Sequence, residues 1–401
     1  MSDVAVRARW AVTAVFLCNG LTIASLQIRV PSLKIGHALT EAQLGLVLAA
    51  FGVAAMVAMQ LIGSLATRLG SAPVIRLATV LLPVTLLGVG LAGTVTELVA
   101  AVVLLGGVHG MLDVAMNSHA VAVERERGRP IMNGCHAAWA IGALSGSVLG
   151  GGLTQAGVSV ATHYLWLAGV LVALAVVIGL HLLPASVDRS PRPERGRRAR
   201  GALRAGWSRR VLLFGAMGAT VLTCEGAVFN WAGVFLHDHL GAALGVASFG
   251  YIAFTTCETA GRLVGDRLRQ RFGVPALIRT GGVIAVAGLA VVVLSPDPWV
   301  AVAGFAVMGI GMSTPLPLIF STVGHIGASG AGAAVFVARF TTLTYSGTLI
   351  GPVFIGWLAQ GFGLTLTLGL LIPLLLAVAW SAKATAVADR PLAAPAELSH
   401  Q

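Results

Sequence analysis

Apolar residues in this chain run in long unbroken stretches, with no strict alternation and no narrow one-face stripe. A bilayer core takes about 20 residues of helix, and twelve stretches reach that scale. Six come first: Trp10–Ile28, Leu44–Leu65, Val74–Gly93, Leu98–Val123, Ile131–Leu153 and Tyr164–Leu183. Six follow: Val211–Leu236, Leu244–Val264, Val274–Leu294, Val300–Val323, Gly332–Trp357 and Leu364–Ser381. No strand-like alternation recurs in the manner of a barrel. The pattern predicts an all-α membrane protein with twelve transmembrane helices in two six-helix pseudo-repeats.

Between the two sets, Pro184–Arg210 holds nine Arg against Asp188 and Glu194 alone. Like charges mixed with Pro and Gly bury too little apolar surface to fold independently. This reads as a solvated basic linker whose Arg side chains face anionic headgroups. The expected division is residues 1–183, a linker over 184–210, a second half over 211–385 and a disordered Ala/Pro-rich tail over 386–401.

Composition agrees with a membrane setting. Hydrophobic residues make up 57% and charged residues 10%, against roughly 25% charged in a soluble domain. The net charge of +11 reflects where Arg is placed, and nucleic acid is not expected as a partner. Cys18, Cys135, Cys224 and Cys257 all fall inside apolar runs without metal-site spacing, so they read as small core residues. No metal or other cofactor is expected. Arg7 and Arg9 precede an apolar run as in a signal peptide, but the run is long and leads into further spans, which reads as a retained first helix.

Basic residues set the expected orientation. With the N-terminus in the cytoplasm, 23 of the 26 Lys and Arg fall on cytoplasmic segments; Arg29 and Lys34 fall outside and Arg339 within a span. Both termini are then cytoplasmic, in a multi-pass protein of the cell (inner) membrane. The turn Gly63–Gly70, with Thr67 and Arg68, ends the second span. Gly261–Gly273, with Arg262, Asp266 and Arg267, ends the eighth. Two tight basic turns at matching places support a duplication, and parallel repeats place a solute site near mid-membrane between the halves.

Polar groups within spans carry the functional signal. Asp113, Glu225, Glu258 and Arg339 would together cost on the order of 10 kcal/mol at mid-membrane if unpaired. His109, Asp113 and Asn117 stand at i, i+4 and i+8 and share a helical face. They read as a cavity wall that holds solute or a proton, or as a polar stripe bonding a neighbouring helix. Glu225 and Asn230 lie about 140° apart around a helix, with Glu225 nearer the span's middle. Glu258 and Arg262 are spaced for an intrahelical pair. Asp266 and Arg267 read as turn-forming, and Arg339 as snorkelling to the cytoplasmic face or meeting a carboxylate. Asn19 and Gln27 share a face of the first span. Ser313 and Thr314, beside Pro315 and Pro317, predict a broken tenth span. Gly142, Gly146 and Gly150, and the pair Gly347/Gly351, read as close helix contacts.

The architecture and the Gly261–Gly273 turn resemble the major facilitator superfamily. Arg29-Val-Pro-Ser-Leu-Lys34, Leu112–Asn117, His136-Ala-Ala-Trp139, Glu225–Trp231 and Gly261–Asp266 are similar to a bacterial inner-membrane permease subgroup (YbjJ-like) near the fucose permeases. The resemblance implies alternating access by rocking of two halves, with spans one, four, seven and ten lining the cavity. The expectation is a secondary transporter, proton-coupled and monomeric, moving a small organic solute. Uptake of a sugar-like solute, efflux of a drug or metabolite, and a non-transporting sensor stay open. Without HExxH, GxSxG or a P-loop, an enzyme is not expected.

Overall fold

Several helices begin where a short polar side chain serves the free amides ahead of an apolar run. Thr40 and Gln43 form a reciprocal capping box, with 3.0 and 3.3 Å bonds, and Thr94 and Glu97 form another at 3.2 Å in each direction. Asp297 Oδ1 accepts from the amides of Trp299 and Val300 at 2.8 and 3.0 Å. The computed structural model describes residues 3–127, 131–187, 207–328 and 333–389. The side chains of Arg68 and Asp266 and most of the Arg-rich linker lie outside the described residues.

The helices are α1 (Asp3–Ile28), α2 (Val30–Gly36), α3 (Glu41–Leu69), α4 (Ser71–Leu91), α5 (Val95–Arg127), α6 (Met132–Gln155) and α7 (Val160–Leu180). Then come α8 (Arg209–Val234), α9 (Leu244–Phe272), α10 (Val274–Leu294), α11 (Pro298–Met312), α12 (Pro315–Ala328), α13 (Ala333–Phe362), α14 (Leu364–Gly369) and α15 (Leu371–Ser381). A single π turn over Phe235–His239 extends α8. α1, α3, α4, α5, α7, α8 and α11 start two to seven residues ahead of their apolar runs, while α9, α10 and α14 start with them. The Arg29–Lys34 segment, expected as an outer loop, forms the short helix α2 with Pro31 in its first turn.

Among the described residues, 10 helical stretches are long and apolar enough to cross a membrane. α9 and α13, at 29 and 30 residues, have the length, about 45 Å at 1.5 Å per residue. They are more polar: α9 carries Glu258, Arg262 and Asp266, and α13 carries Thr341, Thr342, Thr344, Tyr345, Ser346 and Thr348. Each of the twelve expected spans is occupied by helix, the tenth by α11 and α12 and the twelfth by α14 and α15.

The packing repeats. α1 lies against α6, α3 against α5, and α4 against both α5 and α7. A shift of six spans gives α8 against α13, α9 against α11, and α10 against both α11 and α15, all of which are present. The two sets meet along α3–α13 and α6–α9, pairs that the same shift interchanges. The turns that open α4 and α10 match as well: Gly70 and Gly273 have φ of 82° and 78°, a backbone region that glycine enters without steric cost. At α1–α6 and α8–α13 the helices touch backbone to backbone. A Cβ on Gly142 would overlap the carbonyl oxygen of Leu17, and one on Gly347 that of Ala219.

Candidate functional site

Between the two sets lies a cavity of about 250 Å³. α1 contributes Ile23, Leu26 and Gln27; α5 contributes Leu98, Val102 and His109; α8 contributes Gly226, Phe229 and Asn230; α13 contributes Tyr345, Thr348 and Pro352. α3 supplies a continuous wall that includes Val47, Phe51, Ala55 and Met59. These recur every four residues, so one helical face meets the space.

Of the residues marked out from sequence, Gln27, His109 and Asn230 line the cavity. Gln27 Oε1 accepts a 2.6 Å hydrogen bond from the Tyr251 hydroxyl on α9, which links the two repeats. Asn19 is fully buried behind the wall. Its amide nitrogen lies 3.4 Å from His109 Nδ1, and its oxygen accepts from Trp139 Nε1 at 3.0 Å. The His109 ring stacks on Phe51 with centroids 5.5 Å apart. Asn19 and Phe51 therefore fix the imidazole.

Asp113 and Asn117, one and two turns beyond His109, do not line this cavity. The Asn117 amide donates to the Asp113 backbone oxygen at 2.8 Å and stands 3.5 Å from its carboxylate. Among the described residues no cation pairs with Asp113.

Glu225 also lies outside the lining. Arg262 donates to Glu258 at 2.7 Å, the intrahelical pair expected from spacing, and reaches across to Glu225 on α8 at 3.4 Å. Both carboxylates are buried, while the arginine is 40% exposed. One guanidinium thus serves two buried acids. Arg267, one turn on, is exposed.

The tenth span breaks at Ser313–Thr314, between α11 and α12. The break does not open onto the cavity. Ser313 Oγ donates to Ile310 O at 2.7 Å. Ser313 packs on Gly261 of α9, and Thr314 faces Gly265 of α9 and Gly281 of α10. Spans two and eleven take its place around the cavity, because α3 and α13 close directly against one another. The Arg339 guanidinium lies 5.1 Å over the Trp207 ring, ahead of α8.

The polar groups at the α2 end of the bundle were not marked out as a site. Lys34 donates to Glu41 at 2.8 Å and also pairs with Asp238 in the π turn after α8. Burial disfavours its charge, yet the bonds and charges of Asp238 and Glu41 outweigh this and raise its pKa above the ordinary value. Beside it, Gly45 and Gly356 let α3 and α13 meet, and Gln155 packs on Gly245 between α6 and α9. Two signals were available: Lys34 is one of two lysines in the chain, and Tyr251 and Tyr345 are two of its three tyrosines.

The family model described as Major Facilitator Superfamily matches residues 12–342. This chain belongs to that superfamily. It is 32% identical over 372 residues to an uncharacterised transporter of the superfamily from Yersinia pestis, covering 92% of this chain and 93% of the relative. A bacterial homologue of the human lysosomal transporter Spinster, solved inward-facing and unoccupied, has a TM-score of 0.79 at 15% identity, covering 98% of this chain and 100% of its own. A D-xylose-proton symporter has a TM-score of 0.73 at 14% identity, covering 94% and 97%. Major facilitator membership, together with 10 helical stretches among the described residues that are long and apolar enough to cross a membrane, makes the chain a multi-pass membrane protein and a transporter rather than an enzyme.

Proposed function

We propose that this protein is a proton-coupled secondary transporter that moves a small organic solute by alternating access. The observation that carries the reading is the cavity lined by α1, α2, α3, α5, α8 and α13, drawn from both repeats and edged by Gln27, His109, Asn230, Tyr345 and Thr348. A space that two repeats share can open to either side when they rock. Proton coupling rests on acids within the spans in excess of cations. Asp113 has no cationic partner among the described residues, and Glu225 and Glu258 share one arginine. Such carboxyls can stay neutral while buried and ionise when water enters.

The basic-residue bias supports an inner-membrane location, with both termini and the Pro184–Arg210 linker in the cytoplasm and the α2 end outside. The ties at the α2 end then correspond to a state closed to the exterior. The Leu112–Asn117 and Glu225–Trp231 motifs support a place in a permease subgroup near the fucose permeases. The chain works as a monomer of two halves, 1–183 and 211–385.

The test uses proteoliposomes loaded with a pH-reporting dye and a panel of neutral, anionic and cationic solutes. A solute that binds the purified protein should move protons when added outside. Saturable binding without proton movement in either direction would rule out the coupling.

A further inference from the structure

Resting on the transporter reading above, we propose that the solute is an uncharged amphipath: a compact apolar face with hydroxyl or amide groups along one edge. The cavity is two-sided. Every described residue that α3 contributes is apolar, Val47, Phe51 and Met59 among them. The hydrogen-bonding groups come from other helices: Gln27, His109, Asn230 and Thr348, with the Tyr345 hydroxyl. The Asn230 amide nitrogen already donates to Gly226 O at 2.8 Å, which leaves its oxygen to accept from a solute.

Among the described residues, no Asp, Glu, Lys or Arg lines the cavity. Glu225, adjoining Gly226 in sequence, is held by Arg262 at 3.4 Å. An ionised solute would lose its hydration and meet no counter-charge. A polyol would press hydroxyls against the α3 wall, where none of the described side chains accepts them. A pure hydrocarbon would strand the amide and hydroxyl groups opposite. An uncharged amphipath meets both walls on their own terms. At about 250 Å³ the space is near the small end of ligand pockets, which run roughly 300–1,000 Å³, and so suits one or two rings.

The experiment is binding to purified full-length protein in lipid nanodiscs, because detergent is itself an amphipath. One matched set is glucose, phenyl β-glucoside and phenyl β-glucuronide. A second is glycerol, 3-phenoxypropane-1,2-diol and phenoxyacetate. In each set the uncharged phenyl compound should bind at least about tenfold tighter than its parent polyol or its carboxylate. Equal or tighter binding of the polyol or carboxylate, or no saturable binding of either phenyl compound at millimolar concentration, overturns the proposal. Asn230→Leu should weaken phenyl β-glucoside about tenfold, and unchanged affinity would remove the polar edge from the argument. The two readings fail separately. Proton movement driven by a polyol or an anion would keep the transporter and discard the amphipath. The expected binding order without proton movement would do the reverse.

Discussion

Lys34 on α2 and Asp238 in the turn after α8, 204 residues apart, form an ion pair that ties the first repeat to the second. Glu41 adds a second carboxylate to the same ammonium at 2.8 Å. Lys34→Met leaves two half-buried carboxylates facing each other. The cost is below the roughly 3–5 kcal/mol of breaking a fully buried pair, because the groups are 11% and 25% exposed. At about 1.4 kcal/mol per tenfold change in population, the closed arrangement should become roughly tenfold less favoured. An impermeant maleimide should label a cysteine at buried Leu39 faster in that background. An unchanged labelling rate would show that the pair does not hold this end shut.

The same tie should be insensitive to pH near neutrality. The folded pKa of Lys34 is raised, so its contribution is complete below the ordinary lysine value of about 10.4 and fades only as pH rises through the folded value. Labelling at Leu39→Cys should stay flat from about pH 6 to 8, a window well below that value. A steep change within it would point to a different titrating group at this end.

Asp113→Asn should abolish uphill, pH-driven accumulation and leave downhill exchange of the same solute. Exchange needs a cavity that alternates, and accumulation needs a proton carried with it. If the variant still concentrates solute with wild-type pH dependence, the proton is held elsewhere. Glu225→Gln and Glu258→Gln are then the variants to measure, since those acids share one arginine.

Arg262→Met should lower the unfolding free energy in detergent by about 2 kcal/mol, less than a fully buried break because the arginine is partly exposed. Adding Glu258→Gln should restore most of it by removing one of the two stranded charges. A double variant no more stable than the single would mean that the cluster does not act electrostatically.

Gly347→Val should destabilise by at least about 1–3 kcal/mol, the usual range for overpacking, since its Cβ has only the Ala219 carbonyl to displace. Gly142→Val should behave alike against Leu17. Thermal midpoints in detergent would check both. Wild-type midpoints would mean that the helices can separate without cost.

The spans were legible because hydrocarbon imposes a length and a polarity that few other environments demand. The broken tenth span was also legible, from Pro315 and Pro317. What surrounds the break was not: Ser313 faces Gly261 instead of the cavity, a consequence of which helices lie side by side. In the same way, i and i+4 spacing gave the Arg262–Glu258 pair, but nothing in the local pattern shows that Arg262 also reaches Glu225. The α3 wall was hidden because an apolar face turned to a cavity reads like one turned to lipid. Lys34 was visible only as a rare lysine in a loop, since both its partners come from other segments.

The Tyr251–Gln27 hydrogen bond spans the seam between the repeats and touches the cavity at once. If the repeats rock, that bond has to open on every cycle and form again before the next. Its strength therefore adds to the barrier between the two orientations. A solute whose edge hydroxyl bonds Gln27 in place of Tyr251 would lower that barrier simply by being present. Occupancy of the cavity would then set the pace of the machine, and the empty protein would turn over slowly.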